Sequence, residues 1–199
     1  MPGSIGGTIM GIIGWVLVAA LVLLLVYAVA LYNRLVRQRA LVREGFSGIT
    51  VQLRRRADLV PNLVESVRGY ATHEREVLDE VTARRADATK ASGVEATAEA
   101  DARMTGLLGR LMVVAEAYPD LKADDNFRQL SDQLSDIENE LQGSRRYYNA
   151  TVRDLNTSVQ SFPAVLVAGP LGFGEEPFYQ DDDPTIQSAP KVSFARPAA

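Results

Sequence analysis

Apolar residues follow two different patterns along this chain. From Ile9 to Leu31 they are nearly continuous, 23 residues without a charge. At ~1.5 Å per residue such a helix is about 35 Å long, enough to cross a ~30 Å hydrocarbon core with some tilt. The run from Trp15 to Val26 is apolar all round, as lipid contact requires. Beyond Asn33 the apolar positions become periodic, and the period is helical. Val42 and Ile49 repeat by seven, as do Phe46, Leu53 and Val60, which gives one stripe on a helix over 33–58 that continues from the apolar run. Pro61 predicts a kink or tight bend there, with Asp58 capping a fresh start. A second helix then runs over 61–90, with Val64, Val67, Tyr70, Val77 and Val81 on its apolar side, and dissolves into Ala91-Ser92-Gly93. A third covers 96–117 and stops at Tyr118-Pro119, because the residue before proline is pushed out of helical geometry. A fourth starts at Asp124-Asp125, where carboxylates meet the positive end of the helix dipole. Phe127, Leu134, Leu141, Tyr148, Leu155 and Phe162 recur along it every seven residues. Leu130 and Ile137 begin a second seam, which Ser144, Thr151 and Ser158 do not sustain; it drifts to Val152 and Val159. A strict coiled coil would keep both seams, whereas a globular bundle tolerates the drift.

The predicted fold is therefore all-α: one N-terminal transmembrane helix followed by an antiparallel bundle of three or four long helices. The expected organisation is a short segment at 1–8, the anchor at 9–31, the bundle at 32–163, an apolar piece at 164–179 and a disordered acidic, proline-rich tail at 180–199. The apolar piece either closes one end of the bundle or touches the membrane surface. The tail has too little to bury to fold alone. A cleaved signal peptide is the alternative reading of the first segment, and Ala28-Val29-Ala30 resembles a cleavage site. The apolar region is too long for that, however, and no Lys or Arg precedes it. After the anchor come Arg34, Arg37, Arg39 and Arg43. Positive flanks stay on the cytoplasmic side, so the N-terminus is expected outside and the body in the cytoplasm. Asn149-Ala150-Thr151 and Asn156-Thr157-Ser158 match the glycosylation pattern and, on a cytoplasmic helix, match it by chance.

Charge and composition narrow the function. Residues 34–163 hold 19 Lys and Arg against 20 Asp and Glu. A body so close to neutral argues against nucleic acid as a partner. There is no cysteine, which excludes disulfides, thiolate metal sites and cysteine nucleophiles. His73 is the single histidine, and His73-Glu74 lacks the second histidine of a zincin, since position 77 is valine. The carboxylate pairs Asp132 with Asp136 and Glu116 with Asp120 share a helix face but have no Glu-x-x-His companion, so they read as solvated. No phosphate-binding glycine loop and no Gly-x-Ser-x-Gly turn is present. No cofactor and no small-molecule substrate are expected.

Several runs resemble the LemA family of bacterial membrane proteins. They are Tyr32-Asn33-Arg34-Leu35-Val36, Val51-Gln52-Leu53-Arg54-Arg55-Arg56 leading into Asp58-Leu59-Val60-Pro61-Asn62-Leu63-Val64, and Gly69-Tyr70-Ala71-Thr72-His73-Glu74. Further along come Ala115-Glu116-Ala117-Tyr118-Pro119-Asp120-Leu121-Lys122, Arg145-Arg146-Tyr147-Tyr148-Asn149 and Ser161-Phe162-Pro163. Together they cover roughly residues 10–180. The resemblance implies one N-terminal anchor, a helical body and no established enzymatic activity, in a family associated with the cell envelope and with magnetosome membranes. The chain departs from the family at Gly45-Phe46-Ser47, where Ala-Trp is expected, and in its longer tail.

The residues singled out for interaction are Arg54, Arg55, Arg56, Asn62, His73, Glu74, Glu116, Tyr118, Arg146 and Asn149. The triplet Arg54-Arg55-Arg56 spreads around most of a helix and reads first as a solvated belt paired with a neighbouring helix, second as a contact for an acidic partner or lipid headgroups. Three functions remain in view. The first is a membrane-anchored scaffold or adaptor working through protein partners or self-assembly. The second is a sensory or regulatory module for envelope stress, with Pro61 as its movable element. The third is a cryptic enzyme using His73, Glu74 and Glu116.

Overall fold

The computed structural model describes residues 4–71 and 74–179, and among these it contains helices and no strand. His73 and the tail at 180–199 lie outside the described residues. Five α-helices follow in chain order: α1 (Ser4–Arg68), α2 (Arg75–Lys90), α3 (Val94–Glu116), α4 (Pro119–Ala123) and α5 (Asp125–Gln160). A 3₁₀ turn at Ala164–Leu166 follows α5. The all-helical prediction holds, and so does an apolar N-terminal helix long enough to cross a membrane. From Ile13 to Ala30 every side chain of α1 is exposed, as a helix meant for lipid must be.

The described residues fall into two compact units. One takes α1 up to Gly45 together with Tyr148–Glu176; the other takes Phe46–Tyr147 together with the residues from Pro177 on. In the first unit, α1 and α5 run antiparallel. Arg34 donates to Ser158 Oγ at 3.4 Å, and Gln38 donates to Ser158 Oγ at 2.9 Å and to the Asp154 carbonyl at 3.2 Å. Leu35 and Val42 on α1 and Tyr148, Val152 and Leu155 on α5 are buried there.

In the second unit the helices alternate in direction around one apolar core. Val60, Leu63, Val64 and Val67 come from α1, Leu78 and Val81 from α2, Met104, Leu108 and Leu111 from α3, Leu121 from α4 and Phe127 from α5. Each fully buried side chain of this kind contributes about 1.5–3 kcal/mol. Asp124 caps α5: its Oδ1 accepts the Phe127 N–H at 2.9 Å. Pro119 both ends α3 and opens α4, because at the first helical position its missing N–H costs nothing.

Three expectations fail here. First, Pro61 neither breaks the chain nor starts a new helix; α1 runs through it to Arg68, and the turn comes at Gly69-Tyr70-Ala71. Proline leaves the carbonyl four residues earlier without its helical donor. That carbonyl belongs to Ala57, and Arg85 of α2 donates its Nε–H to it at 2.7 Å. The orphaned acceptor is thus satisfied from the neighbouring helix, while Pro61 itself faces solvent. Asp58, expected as a cap, is instead a mid-helix residue 3.7 Å from Arg85. Second, Tyr70 leaves the apolar stripe and stands 42% exposed in the turn, its hydroxyl 3.3 Å from Asp124. Third, Phe162 does not extend the seam of α5: the helix ends at Gln160, and the ring is 81% exposed.

Arg85→Ala is expected to destabilise the protein by about 1.5–3 kcal/mol, the range for a hydrogen bond from a charged donor. In a Pro61→Ala background the same change should cost clearly less, because residue 61 then has an N–H for the Ala57 carbonyl. Denaturant unfolding of the four proteins in detergent, read as a double-mutant cycle, checks this.

Candidate functional site: a buried ion-pair node beneath an open groove

The second unit buries charge in its middle. Arg56 on α1 and Asp101 on α3 are each only 2% exposed. The Arg56 guanidinium pairs with Asp101 Oδ1, donates to Glu138 on α5 at 2.9 Å and to Thr105 Oγ1 at 3.0 Å, and reaches the Asp101 carbonyl at 3.3 Å. Asp101 Oδ2 accepts from Arg145 on α5 and, at 2.7 Å, from the Tyr179 hydroxyl. The Arg145 guanidinium lies over the Tyr179 ring, 5.5 Å from its centroid. Two guanidinium groups therefore face two carboxylates, and the cluster is neutral.

Arg56 and Asp101 each sit on a helical stripe that is otherwise apolar. On α1 the seven-residue row is Leu35, Val42, Ile49, Arg56 and Leu63, all buried. On α3 the row is Asp101, Leu108 and Ala115, also buried. The backbone pattern thus carries both ions into the core, where only mutual pairing makes them tolerable. Tyr179 completes the set from the far end of the chain. Burial, then the Asp101 charge and hydrogen bond, raise its pKa far above the ordinary phenol value, against a smaller opposing effect of the two arginines. The phenol keeps its proton and acts as a donor.

Above this node, α3 and α5 border an open groove of about 490 Å³. Leu108, Gly109 and Met112 line one side, Leu134 and Ser135 the other, with Arg56 and Glu138 also on its wall. Small residues at Gly109 and Ser135 leave room for an approaching backbone. The lining is mixed: apolar side chains, hydroxyls, the amides of Asn139 and Gln142, and the edge of the charge cluster.

The residues singled out from the sequence are not gathered into one place. Arg56 alone joins the node, and it is buried instead of solvated, although it does pair with neighbouring helices as expected of the triplet. Arg55 is exposed and pairs with Glu140 at 3.3 Å; Arg54 is exposed. Asn62 is exposed on α1, and its carbonyl accepts from Ser66 Oγ at 3.0 Å. Glu74 stands just before α2, and its backbone carbonyl accepts the Leu78 N–H. Glu116 and Arg146 are exposed, Asn149 is half-buried on α5, and Tyr118 packs half-buried against the core. Asp101, Glu138, Arg145 and Tyr179 were missed as a set. Of these only Asp101 carries a local signal, as a charged residue in the row it shares with Leu108 and Ala115. The described residues contain no cluster of His, Cys, Asp or Glu able to hold a metal ion.

Among the described residues, fold and site together define an all-helical protein with one candidate membrane span and an ion-paired core. The chain belongs to the LemA family, whose model matches residues 45–194. Protein LemA of Metamycoplasma hominis is 30% identical over 144 residues, covering 70% of this chain and 64% of that relative. Magnetosome protein MamQ 2 of Paramagnetospirillum magneticum and magnetosome protein MamQ of Magnetospirillum gryphiswaldense are each 23% identical over 176 residues, covering 75% of this chain and 65% of the relative. The chain thus spans a little under two-thirds of the length of these relatives.

Asp101→Ala is expected to cost about 3–5 kcal/mol, since it leaves Arg56 buried without its main partner. Tyr179→Phe should cost only about 1 kcal/mol, the net worth of one hydrogen bond. Because the folded pKa of Tyr179 is raised, its contribution is complete below the unfolded value near ~10 and is lost as pH rises beyond that. The stability difference between wild type and Tyr179→Phe should therefore be constant at neutral pH and shrink above it, as measured by urea unfolding on both sides of pH ~10.

Proposed function

We propose that this chain is a membrane-tethered helical scaffold or adaptor, with its body on the cytoplasmic side, acting through the groove bordered by α3 and α5. One observation carries the reading. The single helix α1 supplies both the exposed apolar stretch over residues 13–30 and the core positions Val60, Leu63 and Val67, so anything the body binds is held to the membrane. The groove fits a helix of a partner protein or of a second copy, since a helix-in-groove contact needs an apolar floor with small residues at its rim. The polar interior supports a non-enzymatic role: Asp101 has both oxygens engaged, which leaves it unfit as a general base. Relatives named magnetosome proteins support a membrane-associated role. The regulatory alternative takes Pro61 as its movable element, and Pro61 lies inside the continuous helix α1 instead of between two helices.

A photoreactive residue at Val113 or Asn139, both exposed near the groove, tests the binding role in intact cells. Links between copies would identify a self-assembling scaffold, and links to one other protein an adaptor. If neither position captured anything while the protein was in the membrane fraction, the binding reading would be discarded. Orientation follows from the four arginines just after the apolar run. The chain has no cysteine, so a single cysteine at Ser4 or at Asp132 can be labelled by itself. With an impermeant thiol reagent on intact cells stripped of outer layers, Ser4→Cys should react and Asp132→Cys should not; the reverse would invert the topology.

A further inference from the structure

Large apolar side chains are well hidden over most of the body: between residues 52 and 161 only Tyr70, Val113 and Tyr147 are exposed among those described. After α5 this changes. Phe162 is 81% exposed and Leu166 65%, and Val165, Val167 and Leu171 are exposed as well. No charge occurs anywhere from Leu155 to Gly174. A surface turn of that length without a single charge is unusual for contact with water, and a contiguous apolar patch marks a binding surface.

The position of the turn identifies what it touches. Arg34 lies beside Ser158 and Gln38 beside Asp154, so the antiparallel register sets Gln160, the last residue of α5, abreast of Tyr32. The chain then folds back onto α1. The Phe173 ring meets Tyr32 edge-to-face at 5.7 Å, lies under the Arg39 guanidinium at 4.0 Å, and Arg39 also donates to the Gly172 carbonyl. Asn156 clamps the departing strand of chain, accepting from the Glu176 N–H at 2.8 Å and donating to its carbonyl at 2.9 Å. The turn is therefore fixed at the level where α1 leaves its apolar stretch.

Its backbone is suited to that level. The N–H groups of Val165, Leu166, Val167, Ala168, Leu171, Gly172 and Phe173 are all donated within 161–169. A segment that satisfies most of its own donors strands few of them on entering a drier region, which is the chief constraint on backbone near lipid.

We infer that residues 161–171 form a second membrane contact, an apolar turn seated in the headgroup and upper acyl layer of the bilayer that α1 spans. Phe162, Val165, Leu166 and Leu171 are the inserting side chains. The exposed Arg34 and Arg37 stand at the same end of the α1–α5 pair and meet anionic headgroups. The inference rests on α1 spanning the bilayer but not on what the groove binds.

Full-length protein carrying one nitroxide-labelled cysteine is reconstituted in vesicles of phosphatidylcholine and phosphatidylglycerol. Relaxation by oxygen, which concentrates in lipid, is compared with relaxation by a water-soluble nickel chelate. The labelled positions are Phe162, Val165, Leu166 and Leu171, with Val22 as a site in the span and Ala150, exposed on α5, as a site in water. Four separate positions guard against one variant that fails to fold. The expected result is an oxygen-to-nickel ratio at 162 and 166 several-fold above that at 150, approaching that at 22. Ratios in the turn equal to that at 150, with 22 in lipid, would overturn the inference and leave the anchor standing. Spin–spin coupling between copies at 162 without oxygen exposure would overturn it too, in favour of a second copy covering the patch. A water-like ratio at 22 would remove the anchor and the inference together.

Discussion

Everything in the second unit is arranged around a charge that cannot be discharged. Arginine keeps its proton at any ordinary pH, so placing Arg56 on a buried seam forces acceptors to come to it. Asp101 and Glu138 do so, and Asp101, itself now a buried carboxylate, draws in Arg145 and Tyr179. Three helices and the segment after Pro177 are tied to one point. Such a cluster adds little net stability over apolar residues of the same volume, because desolvating the ions offsets most of their attraction. Its contribution is to register. Sliding α1 by seven residues would put Ile49 or Leu63 where Arg56 stands, and apolar burial would hardly change. The displaced Arg56 and the abandoned Asp101 would each then lack a partner, at several kcal/mol apiece. A repeating apolar seam permits slippage; a single charged position within it forbids it.

Much of this architecture is legible in the sequence. The all-round apolar stretch, the seam through Phe127, Leu141, Tyr148 and Leu155, the Asp124 cap and the stop at Pro119 all follow from local chemistry. The failures lie where a distant residue decides. Pro61 reads as an interruption because the group that repairs it, Arg85, belongs to the next helix and is invisible to any local window. Phe162 continues a periodicity of seven, but periodicity has no meaning past Gln160, where the helix has ended. The arginine triplet was legible as a cluster, yet only the phase of the seam separates buried Arg56 from exposed Arg54 and Arg55. Tyr179 could not have been read at all, since its partner Asp101 is 78 residues away and nothing nearby predicts the return of the chain.

The same accounting separates the node from the usual arrangement of an active site. Buried ionisable groups in a small space are the usual mark of catalysis. A catalytic carboxylate, however, must be reached by a substrate proton, and both oxygens of the buried Asp101 are already engaged by Arg56, Arg145 and Tyr179. The phenol of Tyr179 is held protonated first by its burial and then by the carboxylate it donates to. Tight mutual satisfaction is the signature of structure; an unspent acceptor would be the signature of chemistry. What remains open to a ligand is the groove wall, where Leu108, Met112 and Leu134 offer surface and not reactivity.

A spanning helix limits how deep its cargo sits but leaves it free to spin about the helix axis and to tilt. For a tether that only raises local concentration, that freedom is harmless. For a scaffold it is costly, because each partner must find a face whose orientation is undefined. A second contact with the same bilayer, set off from the axis of α1 by the width of α5, removes most of that freedom. The apolar turn after α5 is placed to do this: Asn156 and Arg39 hold it to the α1–α5 pair, and its uncharged outer side chains are left over for lipid. The exposed hydrophobic surface that would be a liability on a freely soluble bundle becomes, at the foot of an anchored one, the means of giving that pair of helices a defined stance on the membrane.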